Sequence, residues 1–275
     1  MPPLLRLLIS ATLIVTAGAP AAQALSISPP RTVHQTKPGK ALTGFFTVTN
    51  DTDTPLKVKV EPEDWAQGLT GKRGAVPWLT VKPAKLMLRP GKEARVKYTI
   101  RVPKDASGEL RAQVFFTSES TERSVSMRSR LGAIIYVGVE GTERIDAEIT
   151  TLEAFYTAST PGVAKPDRMD VVLGIQNRSN VHIIPGGRIR FRDAKDVVVE
   201  TVTLQEGWGL LPNEEDRYHA IQHGVHLKPG TYSIDIAVEC GNDLRHPKTI
   251  TKTVRAEVSP QGTVRVLEDV PASAP

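Results

Sequence analysis

The chain has 275 residues, a single cysteine, and 35 basic against 30 acidic residues for a formal charge of +5. One cysteine excludes an internal disulfide, so any core must hold by packing alone. The small charge excess alternates in sign along the chain, as in KVKVEPED (57–64), and lacks the dense basic face of a nucleic-acid binder.

In chain order, the first element is a leader. Leu4 to Ala17 is an apolar run interrupted only by Arg6, Ser10, Thr12 and Thr16, and Ala22-Gln23-Ala24 supplies the small residues a signal peptidase accepts. Gly18 and Pro20 break the run before it reaches the roughly 18 apolar residues of a spanning anchor. No cysteine follows the small-residue site, so a lipid anchor is not expected. The expected mature chain starts at Leu25, is exported, carries no integral membrane segment, and is long enough for two domains with separate cores.

From Leu25 onward the pattern is β nearly everywhere, with no convincing helix. The window from Leu79 to Ile100 sets the period: Leu79 and Val81, then Leu86 and Leu88, then Val96, Tyr98 and Ile100 alternate with Lys, Thr and Arg, as in a half-buried antiparallel sheet. Strands are expected at 26–35, 42–50, 55–65, 79–88, 93–102, 109–118 and 125–139. A second set is expected at 145–157, 168–178, 186–192, 196–204, 215–223, 230–240 and 247–258. Prolines fall between these or at their ends, where a missing N–H costs least.

The two sets repeat one another. An apolar strand ends at Asn50 in FFTVTN (45–50) and again at Asn177 in VLGIQN (172–177), and Leu88-Arg89-Pro90-Gly91 is echoed by Leu211-Pro212-Asn213-Glu214. Beyond each proline a strand starts after a Gly-bearing turn, at Leu110 and at Tyr232. The expected fold is all-β: two tandem immunoglobulin-like β-sandwich domains after an N-terminal signal peptide (1–24), at 25–142 and 143–260, with a flexible tail at 261–275. Tyr232, after Leu227-Lys228-Pro229-Gly230, fits the tyrosine corner of such sandwiches; the first domain has Leu110 there. The short join near Gly141-Thr142-Glu143 predicts a fixed angle between the domains.

Chemistry-bearing motifs are sparse. There is no G-x-S-x-G, no phosphate-cradling loop and no zinc-spaced Cys pair, and a non-enzymatic protein without a cofactor is expected. His219, His223 and His226 lie close in sequence, but 219 and 223 share a strand face while 226 lies across a turn. They are weak metal candidates, and ordinary exposed histidines are the simpler reading. Cys240, at a strand end, reads as a small half-buried thiol. Glu214-Glu215-Asp216 reads as a solvated turn. Arg31 opens the first strand, and Arg128 and Arg130 lie on the seventh. If the first strand pairs beside the last, these guanidinium groups converge on the inter-domain cleft, where planar forks of donors suit a carboxylate. Otherwise they are separate solubilising charges.

At this point the chain resembles the periplasmic pilus-assembly chaperones. The resemblance is carried by the basic residue of PPRTV (29–33), by FTVTND (46–51) with Pro55 after it, by VKPAKLMLRPGKEARVKY (81–98), and by the basic-then-apolar RSRLGAIIYV (128–137). It covers most of the first domain and, in the second, only a sandwich pattern. It implies a periplasmic protein of two immunoglobulin-like domains that binds pilus or other surface subunits in its cleft, with an outer-membrane assembly platform as a further expected partner. By the same resemblance Arg31 and Arg130, with Arg128 as the alternative, would anchor a subunit's terminal carboxylate, while Val125, Met127 and Leu131 would contact it along an edge strand by β-augmentation. The stretch from Ser118 to Arg123 departs from the pattern by being polar where more apolar residues are expected. A second reading is an exported structural or adhesive tandem module binding glycan or envelope components, for which Trp65, Trp78 and Trp208 are the candidate aromatics.

Overall fold

The computed structural model describes residues 25–64, 76–120, 128–157, 167–225, 227–242 and 245–270. The leader expected at 1–24 lies outside them. The strands are β1 (Leu25–Ser28), β2 (Arg31–Thr36), β3 (Ala41–Asn50), β4 (Leu56–Glu63), β5 (Leu79–Lys82), β6 (Lys85–Leu88), β7 (Glu93–Arg101), β8 (Glu109–Ser120) and β9 (Arg128–Val139). They continue as β10 (Ala147–Thr157), β11 (Arg168–Asn177), β12 (Ile184–Arg192), β13 (Val198–Leu204), β14 (Glu215–His223), β15 (Gly230–Asn242), β16 (Arg245–Val258) and β17 (Val264–Val270). One 3-10 turn, Val76–Trp78, is interposed. No helix among the described residues is long and apolar enough to cross a membrane.

Alternation of apolar and polar residues sorts these strands into two facing pairs of sheets. A four-stranded sheet, β1-β3-β7-β5, faces a five-stranded sheet, β2-β9-β8-β4-β6. Phe46, Val48, Val96, Tyr98 and Ile100 from the first, and Val58, Val60, Ala112, Val114, Phe116 and Ile135 from the second, close one core. Farther along the chain, β10-β11-β14 faces β13-β12-β15-β16-β17 over a second core built on Leu173, Ile175, Phe191, Ile234, Ile236 and Val254. Within the first core Tyr98 lies flat across β3, its ring against Gly44, where an added Cβ would fall 2.1 Å from the hydroxyl. Only glycine leaves this room, and through it Tyr98 Oη reaches His34 Nε2 at 2.6 Å.

The internal repeat is structural as well as sequential. Asn50 and Asn177 are both fully buried. Asn50 Nδ2 donates to the carbonyls of Thr54 and Leu88, and Asn177 Nδ2 to those of Val181 and Leu210. Oδ1 of each accepts a backbone N–H two residues on, from Thr52 and from Ser179. Each Asn carbonyl accepts from a residue held at positive φ, Gly91 (62°) and Asn213 (64°). These are the two residue types that tolerate the left-handed region at least cost. Pro90 therefore corresponds to Pro212 and Gly91 to Asn213, which sets Leu88 against Leu210 rather than Leu211. The tyrosine corner also forms: Tyr232 Oη donates to the Lys228 carbonyl at 2.7 Å.

Three expectations change. The strand read as 26–35 is two strands in different sheets, because Pro29 and Pro30 have no N–H to continue a ladder and the chain crosses there. The strand read as 79–88 likewise divides at Pro83, β5 joining one sheet and β6 the other. The tail expected from 261 instead forms β17, which pairs with β16 and turns Val264 and Val266 inward in alternation with Thr263 and Arg265. Its last residues, 271–275, lie outside the described chain.

Asn177→Ala should remove the amide donor from the Val181 carbonyl and one of the two donors to the Leu210 carbonyl, and leave the Ser179 N–H without its side-chain acceptor, and we expect a loss of roughly 2–4 kcal/mol in urea unfolding. Burial also pushes the His34 imidazole below its ordinary value of 6.5. Between that value and the lowered one the unfolded chain binds more protons than the folded chain, so stability should fall as pH drops below about 6.5. A His34→Gln variant compared with the native chain at neutral and mildly acidic pH should show the smaller decline.

Candidate functional site

Arg31 is placed by the only parallel pairing in the described sheets. β2 runs alongside the second half of β9, with Arg31 opposite Ile134 and Thr36 opposite Val139. On β9 the residues Leu131, Ala133, Ile135 and Val137 turn into the core. Arg128, Arg130, Ile134 and Tyr136 therefore share the outer face, and register puts Arg31 on that face with them. Upstream of Ile134 no strand among the described residues pairs with the side of β9 away from β8. The Ile134 N–H donates to the Pro30 carbonyl on that side. The backbone groups of Gly132, Arg130 and Arg128 point the same way by the two-residue period of a strand. The edge thus remains open from Arg128 to Ala133 and closes at Arg31.

At its inner end this outer face meets the second sandwich. The Arg31 guanidinium lies 5.6 Å from the centroid of the Tyr136 ring. Tyr136 in turn stacks on His182 at 4.4 Å between centroids. His182 belongs to the connection from β11 to β12, and its Nδ1 donates to Glu109 Oε2 of β8 at 2.5 Å. The Arg111 Nε stands 3.7 Å from the other oxygen of that carboxylate. Glu109, Arg111 and His182 are each only 1% exposed. Burial and the Glu109 charge raise the Tyr136 phenol, with Arg111 and Arg31 opposing, so it stays a neutral hydroxyl-bearing ring. Backbone bonds complete the joint: Glu109 N–H donates to the Asn180 carbonyl, Gly108 N–H to Thr142 Oγ1, and Arg144 N–H to Asn180 Oδ1.

The structure does not set Arg31 and Arg130 side by side. Arg130 is opposite Thr117, four residues up β9 from the partner of Arg31, which is about 13 Å at ~3.3 Å per residue. Its guanidinium stacks 3.6 Å above the Phe115 ring and is ion-paired with Glu63. Arg128 faces Glu119 across the ladder at 3.7 Å. Parallel register, which a sequence period does not carry, is what separates these arginines. Leu131 is half-buried and turned inward beside Phe116. Val125 and Met127 lie outside the described residues. His219 and His223 share the exposed face of β14, four residues apart, and His226 lies outside the described residues. Trp208 is 60% exposed and stacked on Tyr218 at 5.6 Å. Trp78 is half-buried against the first core, and Trp65 lies outside the described chain. Glu109, Arg111, Tyr136 and His182 had no distinguishing mark in the sequence, since each sits singly in an ordinary strand or loop.

No protein-family model matches the chain. No curated protein matches it either. Among solved structures it is similar to the class 5 fimbriae chaperone CfaA, at 14% identity over 83% of this chain and 98% of that one, with a TM-score of 0.47. It is similar to the CupB2 chaperone of Pseudomonas aeruginosa, at 12% identity, 82% and 98% coverage and a TM-score of 0.41. It is also similar to a structure of the Salmonella enterica SafA pilin in complex with the SafB chaperone, at 10% identity, 84% and 98% coverage and a TM-score of 0.44.

Glu109→Ala would remove the carboxylate set between His182 and Arg111 in a buried network. We expect about 3–5 kcal/mol of destabilisation in urea unfolding, the usual cost of breaking a buried charged pair from one side.

Proposed function

We propose that this chain is an exported, periplasmic chaperone for pilus or other surface subunits, which it holds by strand pairing at the open edge of β9 and by a carboxylate contact at Arg31. The observation that supports this reading is where the edge ends. Along the six residues of β9 from Arg128 to Ala133, the main-chain groups of Arg128, Arg130 and Gly132 face outward with no strand beside them among the described residues, and the next position is blocked by β2, whose first residue is Arg31. A polypeptide added along the edge toward the joint therefore stops against a guanidinium. That is the arrangement in which a C-terminal carboxylate receives a charge-assisted, forked pair of hydrogen bonds. Leu131, half-buried on the inner side of the edge, supplies an apolar side chain such a strand would cover. Arg130 and Arg128 stand beside the visiting strand farther along and not at its terminus. Handing the subunit to an outer-membrane assembly platform belongs to the same reading.

A second reading, a tandem module that binds glycan, is favoured by one observation, the exposed Trp208 ring braced on Tyr218. A glycan array answered by the native chain and silenced by Trp208→Ala would support it.

The native chain, isolated gently from the periplasm of its host, should carry a small β-rich subunit in native mass spectrometry. Arg31→Ala should lose it while keeping the native circular dichroism spectrum. A well-folded Arg31→Ala variant that retains its subunit would remove Arg31 from the reading.

A further inference from the structure

The outer face of the sheet β1-β3-β7-β5 carries a group of exposed cations. Arg95, Lys97 and Arg101 project from β7, and Lys82 projects from β5; all four are exposed. Lys97 stands directly between Phe45 on β3 and Lys82 on β5. None of the four has a carboxylate within ion-pair distance among the described residues, whereas Arg128, Arg130, Arg144, Arg168, Arg178 and Arg217 on other surfaces each do. One acid shares the face, Glu93, at the far end of β7 opposite Thr49. Like charges set directly opposite on neighbouring strands weaken a sheet, so the Lys97–Lys82 neighbourhood is a cost the fold does not need. The core is filled by the alternate residues Val96, Tyr98 and Ile100, which leaves the outward positions unconstrained.

The rest of the face is hydroxyl-bearing: Thr43, Thr47 and Thr80 lie among the cations in register. Its one exposed aromatic is Phe45, 44% accessible, with the Arg95 guanidinium 5.0 Å from the ring centroid. A protein partner is held by a cluster of buried apolar anchors at the centre of its contact, and this face offers one. A bilayer needs no such cluster. It needs a broad cationic surface, hydroxyl donors for phosphate oxygens, and at most an aromatic ring at headgroup depth.

We propose that this sheet face seats the protein on an anionic bilayer surface, with Lys82, Arg95, Lys97 and Arg101 meeting lipid phosphates and Phe45 entering the headgroup layer. The face is on the opposite side of the sandwich from Arg31 and Tyr136, so a chain lying on a membrane keeps the open edge of β9 accessible to solvent. The inference stands apart from the chaperone reading. Arg31→Ala should bind vesicles as the native chain does.

The test is co-sedimentation of the full chain with vesicles of phosphatidylglycerol and phosphatidylcholine, against phosphatidylcholine alone. Binding should require the anionic lipid and weaken with added salt. At about fivefold in affinity per surface cation, the folded triple variant Lys82→Ser, Arg95→Ser, Lys97→Ser should bind about 100-fold more weakly. A control that removes the same charge elsewhere, Arg188→Ser, Arg190→Ser, Arg265→Ser, should stay near the native affinity. An equal loss in the control would reduce the effect to net charge and overturn the proposal. So would an absence of binding to anionic vesicles at low salt. Retention by the polyanion heparin together with no vesicle binding would also overturn it, in favour of an acidic polymer.

Discussion

The contact on which the rest of the molecule turns is the one between His182 Nδ1 and Glu109 Oε2. Each sandwich contributes half of it, the carboxylate from β8 and the imidazole from the connection before β12. Both groups are shut away from water, and taking such groups out of solvent is unfavourable unless the partner sits at hydrogen-bond distance. The joint therefore has a narrow set of acceptable geometries. Tyr136 is trapped beneath the His182 ring, and Arg31 lies against Tyr136. The buried joint thus runs through Tyr136 to a surface guanidinium whose own place on the sheet comes from the pairing of β2 with β9.

Duplication was the part of the fold most readily read from sequence, and the structure gives the reason. A buried asparagine amide has two donors and an acceptor to satisfy, and in this fold the turn after the strand and a distant segment at Leu88 or Leu210 satisfy them, while the turn beyond that segment donates to the asparagine's own carbonyl. Those demands fix Asn, the prolines and the left-handed Gly91 or Asn213 at set spacings in both halves. The polar signature consequently survives where the surrounding apolar residues have been exchanged. Alternation likewise marks most strands, because one face of each is covered and the other is wet.

What the sequence withheld was pairing between distant segments. Period-two alternation gives a strand its two faces but no neighbour and no register. Arg31 and Arg130 were both legible as outward cations near an edge, and their separation follows only from the parallel match of Arg31 with Ile134. The buried quartet at the joint was invisible for a related reason. Glu109 and Arg111 look like surface residues of an amphipathic strand, and they become interior only where the second sandwich covers them. β17 escaped notice because two inward valines in a short run are a weak signal. The unpaired cations of β7 were present in the sequence, but their isolation from acids appears only once the sheet is assembled.

Cys240 sits at the centre of the second core, fully buried, paired in register with Pro185, and with its thiol pushed up to about 12 by burial. A thiol so buried and so weakly acidic presents almost no thiolate, the species that attacks disulfides and reacts with oxidants. In an oxidising compartment the chain can therefore fold without a disulfide catalyst. Once folded it will neither cross-link to a second copy nor form mixed disulfides with the proteins it meets. Its stability is independent of the redox poise around it, and a lone cysteine that would be a hazard on the surface is chemically silent where it lies.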